Sequence, residues 1–360
     1  MKLLSLILLV CLMMIAPAGH AIDPSNHAFA TEYYENIQRA VGYLAGHYVR
    51  DVGLIFESED PTGPAGHWLK RTEYPSYHWL YNQTFWLYSD GLLSLYALSP
   101  WRSDIAEAIS ETYRKYNPPP SGKFEALFGI PVGPDRLARD VIVNQTKEFV
   151  VLYRIHDGPL GDPRIPYTDS IIYGALSAYY QGGTLTARSE VLRAASLWNG
   201  TCSVDYSIHQ QELWPGNAPS DIGWCANMKL ALTLYGAKVV GVKLPNFAEL
   251  EAHLWSMQDP ETGGIITLSN GHGVPSGSSN CETTALTLLL YNDALIERLS
   301  RQNTSAQPVH VTPPVHIRDN VPMTETVMPP QTLAYTVILL LVLIVTGVLI
   351  YSRRRFAPIC

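Results

Sequence analysis

Three carboxylates stand at the same place in three similar segments, and that repetition is where chemistry could be built. Asp90 opens "DGLLSLYAL", Asp169 lies at the start of "TDSIIYGALSAYY" and Glu282 at the start of "CETTALTLLLYN". Asn227 holds the matching place in "WCANMKLALTLYGAKVV". An acid in a first helical turn is favoured by the helix dipole by about 0.3–1 kcal/mol with no catalytic role at all. Acids that converge on one axis instead repel each other, and one pKa moves upward. Two carboxyl groups facing across a cavity are the equipment of glycosidic-bond cleavage, one as acid and the other as base or nucleophile. Asp90, Asp169 and Glu282 are therefore the candidate catalytic set.

The neighbours of these acids are aromatic. "EYPSYHWLYNQTFWLYSD" ends on Asp90, with Trp86 and Tyr88 closest to it. Tyr167 precedes Asp169, and Trp214 and Trp224 precede Asn227. Aromatic rings beside carboxylates can stack sugars, although large amphipathic rings line a rim equally well without a ligand. His209 in "VDYSIHQQELWPG" and His272 in "SNGHGVP" fall in loops, as a general base, a substrate contact or exposed side chains. The candidate binding set is Trp86, Tyr88, Tyr167, His209, Trp214, Trp224, Asn227 and His272. No metal or cofactor is expected, because Cys202, Cys225 and Cys281 lack the close ligand spacing of a zinc site. A Cys202–Cys225 disulfide with one thiol left over is the simplest pairing.

The elements that must position these groups follow from hydrophobic periodicity. Residues 86–98, 168–181, 224–240 and 281–293 are apolar or small on most faces, as inner helices are. Three are followed by amphipathic segments, "RSDIAEAISETYRKY", "TARSEVLRAASLW" and "NFAELEAHLWSM", with a capping-box spacing at Asn246 and Glu249. Residues 32–48, capped by Thr31, suit a further outer helix. Residues 139–155 alternate and are β-branched, which predicts a strand pair. The expected fold class is mainly α, an α/α toroid of helical hairpins around a central cavity with a small β insertion and one C-terminal transmembrane helix.

One unit carries a resemblance. "HLWSMQDPETGGIITLSNGHGVPSGSSNCETTALTLLLYND" resembles a repeat of the α/α-toroid superfamily that includes terpenoid cyclases and protein prenyltransferase β subunits. Gln258, Asp259, Gly263, Gly264 and Glu282 hold the positions that carry it. The aspartate-rich motif of the cyclases and the zinc ligands of the prenyltransferases are not found here, so the resemblance implies fold rather than activity. A looser similarity, to six-hairpin glycosidases and α/α-barrel polysaccharide lyases, implies glycan chemistry by analogy of architecture.

The ends indicate the compartment. Residues 1–21 have the build of a secretory signal peptide. Residues 22–302 form the exterior domain, 303–332 a Pro- and Thr-rich stalk, 333–351 an uncharged transmembrane stretch and 352–360 a cytoplasmic tail that opens with three arginines. Acceptor sequons at Asn82, Asn144, Asn199 and Asn303 suit an exported chain. The net charge of -7 without a basic patch speaks against nucleic acid as a partner. The expectation is a single-pass protein of the plasma membrane that cleaves surface glycan as a hydrolase or lyase. Its alternative is a non-catalytic surface module that binds glycan or a partner protein. Protease added to intact cells should remove the domain formed by residues 22–302; a protected domain rejects this topology.

Overall fold

The computed structural model describes residues 32–57, 83–161, 167–205 and 224–302, all within the unit Met1–Val309. The expected signal peptide, stalk, transmembrane stretch and tail lie outside the described residues, as do Thr31, His209 and Trp214.

Helix α1, Tyr34–Gly46, leads into the two-stranded β1, Tyr48–Val49, and β2, Leu54–Ile55. Strand β3, Gln83–Trp86, runs into a π-helical segment, Leu87–Leu92, and then α2, Leu93–Leu98. Helix α3, Ser103–Tyr116, turns Ile105, Ile109 and Tyr113 inward and its charges outward. It ends on Asn117 in the left-handed conformation, a residue type that tolerates it. A 3-10 segment, Phe124–Phe128, precedes β4, Arg139–Gln145, and β5, Phe149–Ile155. Helices α4, Thr168–Tyr180, and α5, Thr184–Ala195, form a hairpin. Strand β6, Trp224–Ala226, opens α6, Asn227–Val240, and α7, Phe247–Ser256, follows. Strands β7, Ile266–Asn270, and β8, Pro275–Ser279, lead to α8, Cys281–Leu289, and α9, Asp293–Gln302.

Helix α6 is the centre of this arrangement. Twelve of its 14 residues are buried, because it is apolar or small around its whole circumference and must be covered on every side. Helices α4, α5, α7, α8 and α9 all pack on it. Gly236 lets α4 come close, since a Cβ there would lie 3.2 Å from Ile172. Helix α8 also lies against α1 and α2, which joins the first third of the described chain to the core.

The expected mainly α toroid with a transmembrane helix is overturned. About half of the described residues are helical, in nine α-helices and two short segments, and three small sheets accompany them. Among the described residues no helix is long and apolar enough to cross a membrane. Two expected inner helices begin as strands instead: Trp86 closes β3, and Trp224–Ala226 is β6. A short apolar run has no period that separates a strand from a first helical turn, and the pairing partner decides. For β3 that partner is β5, in parallel register from Gln83 with Phe149 to Trp86 with Leu152. For β6 it is β7, antiparallel, with β8 completing the sheet. The expected strand pair at 139–155 is β4 and β5, and through β3 it belongs to a three-stranded sheet that reaches the acids.

Caps and turns also depart from expectation. Asn246 precedes α7 without a side-chain capping bond, whereas Asn280 caps α8 by accepting from the Thr283 amide at 2.9 Å. Cys202 and Cys225 form a disulfide, and Cys281 is a buried thiol. The turn after α7 is locked by Gln258, whose carboxamide donates to Gly263 O and Asn36 O and accepts from Asn36 Nδ2, each at 2.8 Å. Gly263 adopts φ +83°, and a Cβ there would come within 2.7 Å of the Arg39 carbonyl. Gly182 has a similar φ of +86° with open space around it. Gly263→Ala is expected to destabilise the fold by clearly more than the roughly 1 kcal/mol of left-handed strain that Gly182→Ala incurs. Equal losses in urea unfolding would show that the packing of this turn on α1 is immaterial.

Candidate functional site

Four acids and two cations meet where helices α4 and α8 and the π-helical segment begin. Asp90 lies inside the π-helical segment with no exposed surface. Among the described residues neither of its carboxyl oxygens makes a well-formed hydrogen bond. Burial, then the charges of Glu57 and Glu282, push its pKa well up, and the Trp86 backbone counters only in part.

Glu57 was not anticipated from sequence. Its amide donates to Thr84 O in β3, and its carbonyl accepts from the Cys281 amide at the start of α8, both at 3.0 Å. Its carboxylate accepts from Trp86 Nε1 at 3.0 Å, and its charge acts on Asp90 and Glu282. Glu282, in the first turn of α8, is pushed up to about 7 by burial and by Glu57, while Arg154 acts in the opposite sense and Asp169 adds to the rise.

Asp169, in the first turn of α4, is displaced the other way. Its carboxylate pairs with Lys123 Nζ at 2.7 Å, and its side chain keeps 19% of its surface exposed. Burial alone would raise it, but Lys123 and Lys229 overcome that and hold it at about 2. Lys123 is placed by the loop before the 3-10 segment. There the Ser121 amide and hydroxyl donate to the Glu125 carboxylate, and the Ser121 hydroxyl accepts from the amides of Lys123 and Phe124. The Lys123 ammonium also sits 5.1 Å over the Tyr173 ring. Arg154, on β5, makes a two-pronged pair with Asp140 at 2.7 and 3.0 Å and covers the Trp86 ring at 5.0 Å.

The three expected catalytic acids are therefore linked electrostatically: Glu282 feels both Asp90's neighbour Glu57 and Asp169. The expected repulsion among them falls on Asp90 and Glu282, and Asp169 escapes it through Lys123. The expected aromatic rim is largely core. Trp86 and Tyr88 are buried, and the Tyr88 ring packs with Tyr113, Phe124 and Tyr153. Asn227 is buried and ties β7, donating to Ile266 O and accepting from Ser269 Oγ. Tyr167 is half-buried two residues before Asp169, Trp224 lies in β6, and His272 is exposed in the turn between β7 and β8. Glu57, Lys123 and Arg154 left weak signals: an acid closing "GLIFE", a Ser121-to-Glu125 spacing around Lys123, and one arginine in the apolar strand "FVVLYRI". Among the described residues no three His, Cys, Asp or Glu side chains are grouped to hold a metal ion. No protein-family description, curated protein or solved structure matches the chain.

The two displaced carboxyls give opposite stability signatures. Glu282 has a folded pKa raised from 4.5 to about 7, so its contribution is intact below about pH 4.5 and is lost as pH rises through 7. Glu282→Gln is expected to match the parent at pH 4.5 and exceed it at pH 8.5, by at most about 3 kcal/mol. A difference that does not change with pH would reject the assignment. Asp169→Asn strips Lys123 of its partner and is expected to destabilise the fold at pH 7 by up to the roughly 3–5 kcal/mol of a broken buried pair. Adding Lys123→Met to that variant should recover part of the loss, and a double variant as unstable as the sum of the two singles would mean that the pair is not coupled.

Proposed function

We propose that the protein is a glycan-active hydrolase in which Glu282 is the general acid and Asp169 the general base or nucleophile. The observation that carries this reading is the opposite displacement of two neighbouring carboxyl groups, Glu282 to about 7 and Asp169 to about 2. Two acids driven apart by their surroundings divide the proton-donating and proton-accepting roles at neutral pH. Glu282, with a pKa of about 7, keeps its proton in about half of the molecules at neutral pH and protonates the leaving oxygen from that form; Asp169, ionised and partly exposed, attacks the anomeric carbon or activates a water. Lys123 keeps Asp169 charged. Glu57 does not touch the substrate in this scheme; with burial it holds the proton on Glu282. The Cys202–Cys225 disulfide supports action in an oxidising, extracytoplasmic compartment.

A second reading, a non-catalytic surface module that binds glycan or a partner protein, is favoured by one observation. Trp86 and Tyr88, which would have stacked a sugar beside the acids, are buried and packed among protein groups. The purified full chain should release reducing ends from a panel of surface polysaccharides, with a basic limb of the rate profile near pH 7. Glu282→Gln and Asp169→Asn should each lose about 10²–10⁴-fold in rate. Both variants retaining the parental rate would reject the assignment, and glycan binding without any hydrolysis would favour the binding module.

A further inference from the structure

Two of the four acceptor sequons, Asn144-Gln145-Thr146 and Asn199-Gly200-Thr201, lie among the described residues, and they are folded differently. At Asn199 the side-chain oxygen accepts three hydrogen bonds: from the Thr201 amide at 3.0 Å, the Thr201 hydroxyl at 3.0 Å and the Cys202 amide at 2.9 Å. Two of those donors are backbone amides, so the atom facing them must be the oxygen, and the amide nitrogen faces away. Asn199 is exposed, and Gly200 carries φ +100°, which lets the chain close this turn tightly. The Thr201 hydroxyl shares its proton between the Asn199 oxygen and Gly271 O at 2.9 Å.

At Asn144 both requirements fail. Its nitrogen donates to the Tyr116 hydroxyl at 3.1 Å. Its threonine is committed elsewhere, with the Thr146 hydroxyl accepting from the amides of Glu148 and Phe149 to close the β4–β5 turn. Asn144 is also paired in the ladder, opposite Val151.

We propose that Asn199 is an N-glycan attachment site and that Asn144 is not. The chemistry is transfer from a lipid-linked oligosaccharide pyrophosphate. Asn199 Nδ2 attacks the anomeric carbon, a new C–N bond forms, the C–O bond to pyrophosphate breaks, and one amide proton passes to a base of the transferase. A hydroxyl donating to the amide oxygen draws electrons from the nitrogen and eases loss of its proton, which frees the lone pair for attack, and of these two sequons it is Asn199 that has that hydroxyl in place. The attached glycan would stand beside the Cys202–Cys225 disulfide, on an exposed turn.

The test is peptide mapping of the full chain secreted from a eukaryotic host, after enzymatic glycan release in heavy-oxygen water, which converts each occupied Asn to labelled Asp. The expected result is label at Asn199 and none at Asn144, with one glycan's mass lost in Asn199→Gln and in Thr201→Ala but kept in Thr201→Ser. Label at Asn144 equal to or above that at Asn199 overturns the proposal. So does an unlabelled Asn199, whether or not the other sequons are occupied. The wild-type map decides the matter even if a variant fails to fold.

Discussion

The geometry of the site depends on one buried ion pair. Asp205, with no exposed side-chain surface, holds Lys229 at 2.6 Å and accepts from the Thr168 amide at 2.9 Å. Thr168 and Ser203 add a hydroxyl contact at 3.1 Å. Three pieces of chain are thereby fixed together: the first turn of α4, the first turn of α6, and the stretch that follows the Cys202 half of the disulfide. A buried charge held this way is not replaceable by half, because either partner alone would be left in an apolar medium. Thr168 is the residue before Asp169, so the amide that Asp205 takes also determines where Asp169 begins. Lys229 in turn contributes to the charge that keeps Asp169 ionised.

From that anchor the charges divide unevenly. On the α4 side, one acid meets one cation at contact distance, and the pair stays ionised. On the α8 side, Glu57 and Glu282 act on Arg154, Asp90 feels Glu57 and Glu282, and Arg154 is already engaged by Asp140. At Asp90 burial and two like charges all oppose ionisation, and a carboxyl so placed keeps its proton instead. Asp90, fully enclosed, and Glu282, reached by weaker compensation from Arg154 and Lys123, are the ones that respond. The asymmetry between the two sides is what drives the pKa values of two chemically similar groups apart.

Much of this was legible locally and little of it at long range. Helix α4 was readable because its apolar run and its first-turn acid lie within 13 consecutive residues, and the β4–β5 hairpin because its alternation is continuous. Asp90, Asp169 and Glu282 were readable for the same reason: each is defined by its place in a turn. The partner of β3 was not, since Phe149–Leu152 lies some sixty residues on and a short apolar strand has no signature of its own. Missing that pairing moved Trp86 from strand to helix and turned the architecture into a toroid. Glu57, Lys123 and Arg154 come from a strand and from loops whose direction is settled only by tertiary contacts, so the charges that tune the acids were absent from the reading of the acids. Asn246 and Asn280 show the same limit on a small scale: both have capping chemistry, and only the second has the geometry.

Trp86 shows how a residue chosen for one reason serves another. Aromatic proximity to an acid suggested a surface for sugar rings, but pairing in β3 turns the indole inward. Its N–H then goes to Glu57 and its face lies under Arg154. The ring therefore joins the Asp140–Arg154 pair on β4 and β5 to the acids at the start of α8. Arg154 is kept over the indole by Asp140 and lowers the pKa of Glu282, while Glu57, oriented by the indole N–H, raises it. Opposing influences on one proton thus run through a single side chain. The sheet that sequence treated as an insertion is in this way part of the proton's environment. Beside Asp169 the rings are Tyr167, half-buried, and Tyr173, buried with Lys123 over its face.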